Sequence, residues 1–253
     1  MRASFLQQWK QTWNLGDTLF PIVSAAGPAL AAGWIVGQSS NDAAVSHVFF
    51  GAALMAVWTL GVFYTGWSLS VEHFQGTLEI VMTSRTPLML VLLGKALGIT
   101  AWMMPSAVAS VLIVLAFAGE VTPVAAPGLL AVSAVMALAS VIVTSFIFAP
   151  VGFLSGARGG FFNALMPLGT VLSGFLYPIG VLPAALEVVA RCLPSAWAMD
   201  AVVRSISGRG SAWTVVADWA VASLLVAVLI GATAAAFRIA ERRVRVSGSL
   251  GAV

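Results

Sequence analysis

Charge is missing from six long stretches of this sequence, and that absence limits the fold more than any motif does. Successive charged residues leave the intervals 18–41, 43–71, 96–119, 121–157, 159–186 and 219–237, which hold 24, 29, 24, 37, 28 and 19 residues. A bilayer core about 30 Å thick is crossed by roughly 20 apolar residues in a helix. Lipid offers no partner to backbone N–H and C=O groups, so each span must satisfy them internally, as a helix does. A β-barrel would alternate apolar and polar residues, whereas these stretches are continuously apolar. The interval 121–157 is too short for two spans and a turn, and Pro123 and Pro127 mark a loop at its start. The expected fold is an all-α integral membrane domain filling 1–253. Its six spans are expected at about 18–37, 47–70, 96–118, 128–153, 163–183 and 216–237.

Composition excludes the other classes. Only 8% of the 253 residues are charged, against about 25% in a soluble domain. A net charge of +3, not clustered on one motif, makes no footprint for nucleic acid. One cysteine, Cys192, cannot build a disulfide framework. Two histidines, His47 and His73, are too few for a histidine metal site.

Orientation follows from Lys and Arg. With the N-terminus inside, nine basic residues lie on inner segments: Arg2, Lys10, Arg85, Lys95, Arg158, Arg238, Arg242, Arg243 and Arg245. Three lie outside: Arg191, Arg204 and Arg209. This bias places both termini in the cytoplasm of a multi-pass plasma-membrane protein. Trp34, Trp67, Trp213 and Trp219 fall near expected span ends, as in an aromatic belt. Seventeen mostly polar residues precede the first apolar run, which argues against a signal peptide. Within them Phe5, Trp9 and Trp13 recur every fourth residue, the stripe of an interfacial helix over 1–17.

Two connections do not span. The inner one, 71–95, carries Glu72, His73, Glu79, Arg85 and Lys95. Gly76 precedes Thr77-Leu78-Glu79, a helix start with its acid in the first turn, and Pro87 stops or restarts the chain before the third span. Its length fits a structured cytosolic element, with a plain solvated loop as the open alternative. The outer one, 178–218, is apolar but broken by Pro178, Pro183 and Pro194. Its pieces 184–193 and 195–207 are too short to cross and are expected as two short re-entrant helices. Glu187 with Arg191, and Asp200 with Arg204, are acid-before-base pairs at helical spacing. Ser195 is the expected N-cap of the second helix.

At these two connections the chain resembles the permease subunit of ABC-2-type transporters. The inner stretch Glu72-His73-Phe74-Gln75-Gly76-Thr77-Leu78-Glu79, with Thr86-Pro87 and Leu93-Gly94-Lys95, is similar to the family's acidic coupling segment and the start of its third span. Phe74 and Gln75 depart from the basic and acidic residues the family often has there. The outer stretch Ser173-Gly174-Phe175-Leu176-Tyr177-Pro178, then Leu182-Pro183, Leu193-Pro194 and Ala198-Met199-Asp200-Ala201 to Arg204, is similar to the family's gate region. The resemblance implies two permease subunits, alike or unlike, around a central path, each docking a coupling helix on a separate ATPase subunit that holds ATP and Mg. It implies an ATP-driven exporter. Glu72, Gln75, Gly76, Thr77, Glu79 and Arg85 become the coupling residues it assigns, and Phe175, Asp200 and Arg204 belong to its gate.

The chain shows no chemistry of its own. Gly94-Lys95 lacks the upstream glycine of a P-loop, and Ala96 stands where a Mg-binding hydroxyl is needed. The uncharged intervals offer no Asp, Glu, Lys or Arg to serve an enzyme, a proton-coupled carrier or an ion channel. No catalytic residue, metal ligand or cofactor is therefore expected in this chain. Asn163, Thr170, Ser173 and Tyr177, spaced 7, 3 and 4 apart, would share one face of a fifth helical span. They are read as a path lining, or else as helix-packing polar residues. A neutral, apolar lining favours amphipathic or hydrophobic cargo such as a drug, peptide, lipid or glycan. The alternative to an exporter is a non-transporting scaffold or immunity-type protein of the same fold.

Overall fold

The computed structural model describes residues 15–38, 42–76, 87–118, 124–156, 159–208 and 210–247. The interfacial helix expected over 1–17 falls almost wholly outside them, and the coupling residues Thr77, Glu79 and Arg85 fall wholly outside. Every long element among the described residues is an α-helix. They are α1 (Leu15–Gly37), α2 (Asp42–Phe74), α3 (Leu88–Ala118), α4 (Pro127–Phe146), α5 (Phe148–Ser155), α6 (Gly159–Leu172), α7 (Ala184–Arg191), α8 (Pro194–Ser207) and α9 (Ala212–Ser247). Five stretches are long and apolar enough to cross a membrane: Leu19–Gly37, His47–Phe74, Leu88–Phe117, Pro127–Ser155 and Ala212–Arg243.

α3 is the hub for the first two helices, since α1 and α2 both pack chiefly on it. Small residues permit the close approach. A Cβ on Gly33 of α1 would meet the Phe117 ring of α3. The core beside it, Ala32, Val36, Val48, Ala52 and Val114, is built mostly from alanine and valine. Such small-residue seams are how helices associate when lipid removes the hydrophobic difference between contact and separation. α4 breaks at Ile147 into α5. Pro150 explains the break, because it lacks the N–H that would bond the Phe146 carbonyl.

Two expected boundaries change. The third span was expected from residue 96, yet α3 begins at Leu88, because Pro87 starts the helix rather than ending a loop; its carbonyl accepts from the Leu90 and Val91 amides. The connection 71–95 thus shrinks to 75–87, its ends taken up by α2 and α3. The fifth span was expected as one helix over 163–183. Instead α6 stops at Leu172, about 21 Å after its start at 1.5 Å per residue. Gly174 takes a left-handed conformation (φ 68°), the Ser173 and Gly174 amides turn back to Gly169 and Val171 carbonyls, and Pro178 follows. This is a glycine-capped helix end with proline beyond it.

The two short helices expected within 178–218 are present as α7 and α8, close to their expected limits. Ser195 does not cap α8. The N-cap is Leu193, with Pro194 in the first turn, a position where a missing N–H costs nothing. At its other end α8 stops at Gly208, φ 63°, and its Ser205 and Ile206 carbonyls accept from the amides of Ala126 and Ala125 at the entrance to α4.

Candidate functional site

The two ends of α2 organise two groups of polar residues. His47 and Glu72 are 25 positions apart on it, about 38 Å along a helix, so His47 and His73 lie at opposite ends and share no site.

At the His47 end, the chain after α6 folds back as a turn seated on α2. His47 Nε2 donates to the Gly174 carbonyl at 2.7 Å. Gly51, one turn on, has no room for a side chain, since a Cβ there would fall on the Phe175 carbonyl. Phe175 is fully buried against Val57, Trp58, Val62 and Met199, with its ring 6.4 Å from that of Trp58. Trp58 Nε1 donates to the Met166 carbonyl at 3.0 Å, which also accepts from Thr170 Oγ1 at 2.9 Å. Ser195 donates to the Ser173 hydroxyl at 2.9 Å. The turn is therefore held by α2 on one side and α8 on the other.

The four polar residues expected on one helical face are not brought together. Asn163 is exposed on α6 and Thr170 is buried there, while Ser173 is wholly buried in the turn and Tyr177 half-buried beyond it. Partial burial raises the Tyr177 pKa above its ordinary value, so the phenol stays a neutral hydroxyl. The capped end at Gly174 takes Ser173 and Tyr177 off the helix.

The ion pairs at this end also differ from expectation. Glu187 and Arg191 do approach, at 3.9 Å. Asp200 and Arg204 do not pair. Asp200 Oδ2 accepts from Arg191 Nη1 at 2.7 Å, and Arg191 lies over the Trp197 ring, 4.7 Å from its centroid. Arg204 turns to Asp218 of α9, Nε to Oδ2 3.3 Å. The contact is an ion pair without hydrogen-bond alignment, because Oδ2 has no bonded partner. Burial decides the choice. Asp218 is only 3% exposed, and a buried carboxylate demands a cation more strongly than a half-exposed one does. Alongside, Trp219 donates to Ser133 at 2.9 Å, and Ser133 meets Ser205 at 3.2 Å. α8 is thus tied to α4 and α9. Trp219 and Trp67 pack inward, whereas Trp34 and Trp213 face outward as belt residues would. We expect exchange of charges at Arg191 and Asp200 together to restore the thermal stability that either reversal alone lowers by about 1 kcal/mol. The same exchange at Asp200 and Arg204 should restore nothing, and recovery there would contradict the pairing.

At the other end, Glu72 is buried near the end of α2 and pairs with Lys95 of α3. Glu241 of α9 accepts from the Leu88 amide at 3.3 Å, satisfying a donor at the start of α3, and Arg243 donates to the Leu154 carbonyl at 2.9 Å. Gln75 is exposed in the turn after α2, and Gly76 has φ 67° with open space around its Cβ position. The chain leaves α2 through this left-handed glycine. Of the coupling residues, Glu72 is correspondingly not on a free segment but locked between two spans.

An all-helical membrane bundle with long α2 and α3 consecutive in the chain, followed by a broken fifth helix with two short helices after it, is the arrangement on which the family comparison bears. The model described as ABC-2 family transporter protein matches residues 20–235. The chain belongs to that family. The match runs from α1 into α9 and takes in the His47 group and the Glu72–Lys95 pair of this ABC-2 protein, while Glu241 and Arg243 lie beyond it. No curated protein matches the sequence. Membership makes the chain a transmembrane component of a transporter, in a family whose members work with ABC ATPase partners. Sequence reasoning passed over His47, Lys95, Arg191 and Asp218 as site residues. Of these, Asp218 had a visible signal, a charge set inside the expected last span.

Proposed function

We propose that this ABC-2 protein is the permease subunit of an ATP-driven exporter, with both termini and the link 75–87 cytoplasmic. A partner ATPase binds that link, and two permease subunits enclose the path. The Glu72–Lys95 pair carries this reading. It ties α2 to α3 at the point where the link leaves and returns, so a displacement of the link moves both spans together. α2 then delivers the movement to its far end, where His47 and Gly51 hold the turn 173–177. That turn, which carries Phe175, acts with Asp200 and Arg204 as the outer gate, and an apolar or amphipathic cargo leaves beside it. Glu79 and Arg85 on the link meet complementary charges of the ATPase, whose ATP and Mg supply the energy.

Gly76→Val should weaken ATPase co-purification or abolish stimulated hydrolysis while leaving the protein inserted. A β-branched residue held at this left-handed φ costs about 1–2 kcal/mol, and relief would redirect the link. Glu79→Gln should do so in part, and more at low salt. Wild-type assembly, hydrolysis and transport by Gly76→Val would remove the coupling role from the link. Topology has its own check. With Cys192 replaced, a cysteine at Ser39 should react with an impermeant reagent in intact cells and one at Ser247 should not; labelling at Ser247 would remove the C-terminus from the cytoplasm.

A further inference from the structure

We propose that the outward face of α9 near its C-terminal end, carrying Arg238 and Arg242, binds the phosphate of an anionic phospholipid. The helix has two unlike sides there. On one, Phe237 and Ala240 are buried, Phe237 stacks 5.2 Å from Phe146, Glu241 accepts from Leu88 and Arg243 donates to Leu154. On the other, Arg238 and Arg242 are exposed, and neither takes part in the ion pairs formed among the described residues.

This outward side continues an apolar stripe. Leu224 and Val228 are 65% and 60% exposed, and with exposed Ala235 they lead at helical spacing to Arg238. A face this apolar is a lipid face. Its depth follows from the charges on α9. Between Asp218 and Arg238 lie 19 uncharged residues, about 28 Å of helix, which matches a hydrocarbon core of about 30 Å. Arg238 therefore stands at the core boundary, and Arg242, one turn or about 6 Å further, stands at the depth of the phosphates.

The helix dipole does not account for these arginines, because its effect fades beyond the last turn and α9 runs on to Ser247. Two guanidinium groups at i and i+4 lie about 5–6 Å apart at their Cβ atoms. Each offers a planar fork suited to phosphate oxygens, so both reach one headgroup. A phosphatidylcholine headgroup carries its own compensating cation, whereas phosphatidylglycerol presents an uncompensated negative charge to the pair.

The test uses the full chain, reconstituted in vesicles of phosphatidylcholine with phosphatidylglycerol, gently delipidated and examined by native mass spectrometry for retained lipid. A basic residue near an anionic surface contributes about a fivefold preference. Arg238→Gln/Arg242→Gln should therefore lower the retained ratio of phosphatidylglycerol to phosphatidylcholine by about 25-fold. Arg238→Lys/Arg242→Lys should keep most of the preference, which separates lost charge from misfolding. Arg243→Gln, on the protein-facing side, should leave the ratio nearly unchanged. Excess inorganic phosphate should not displace the lipid. An unchanged ratio in the double glutamine variant, an equal loss in Arg243→Gln, or displacement by inorganic phosphate would each overturn the assignment.

Discussion

Lys95→Met should unfold this protein far more readily than substitution of an exposed arginine such as Arg238. The Glu72 and Lys95 side chains are only 7% and 14% exposed, so removal of the ammonium leaves a carboxylate in a poorly hydrated site without the charge beside it. Breaking a buried pair from one side costs about 3–5 kcal/mol. Replacing both partners costs much less, because no uncompensated charge remains. We therefore expect Lys95→Met to lose most folded protein in detergent at moderate temperature, and Glu72→Gln/Lys95→Met to recover most of it. Size-exclusion profiles after heating measure this directly. The recovered double variant should still show impaired stimulation of the ATPase, since α2 and α3 are no longer tied at the link. Equal heat resistance of Lys95→Met and wild type would show that the pair is hydrated and contributes nothing.

The second large effect belongs to Gly51→Ala. One added methyl group would fall on the Phe175 carbonyl. Unlike a flexible side-chain tip, that backbone atom cannot swing aside, because His47 holds Gly174 and Ser195 holds Ser173. Overpacking costs about 1–3 kcal/mol, and the upper end is expected here. The strain should lift the turn from α2 rather than unfold the bundle. With Cys192 replaced, Ser173→Cys should be shielded from thiol reagents in the wild-type background, since Ser173 has no exposed surface. It should react in the Gly51→Ala background. Transport should fall in parallel. A shielded Ser173→Cys in Gly51→Ala would mean that the turn is not seated as described.

Two further contrasts show which local rules held. The end of α6 was written in residues 173–178, where Gly174 with Pro178 beyond it is a helix-stop signal. The long uncharged interval 159–186 masked it, because hydropathy reports burial in lipid and not backbone conformation. The Asp200 and Arg204 spacing was correct for a pair on one helix face. Such a pair is worth a few tenths of a kcal/mol, and a buried Asp218 on another helix outweighs it.

What the sequence by itself determined is the class of the molecule. Uncharged intervals about 20 residues long leave helices as the only open-ended way to satisfy a backbone in lipid, and that argument needs no partner residue. It also contained the local breaks, since Gly76, Pro87, Gly174 and Pro194 act on their own φ angles and N–H groups. Tertiary structure decided which distant residues meet. Glu72 and Lys95, His47 and Gly174, and Arg204 and Asp218 are separated by long chain segments, and each contact exists only because two helices are packed in register. Between helices a charge has no preferred partner until packing sets its distance and its exposure to water, and those two quantities fixed these pairings.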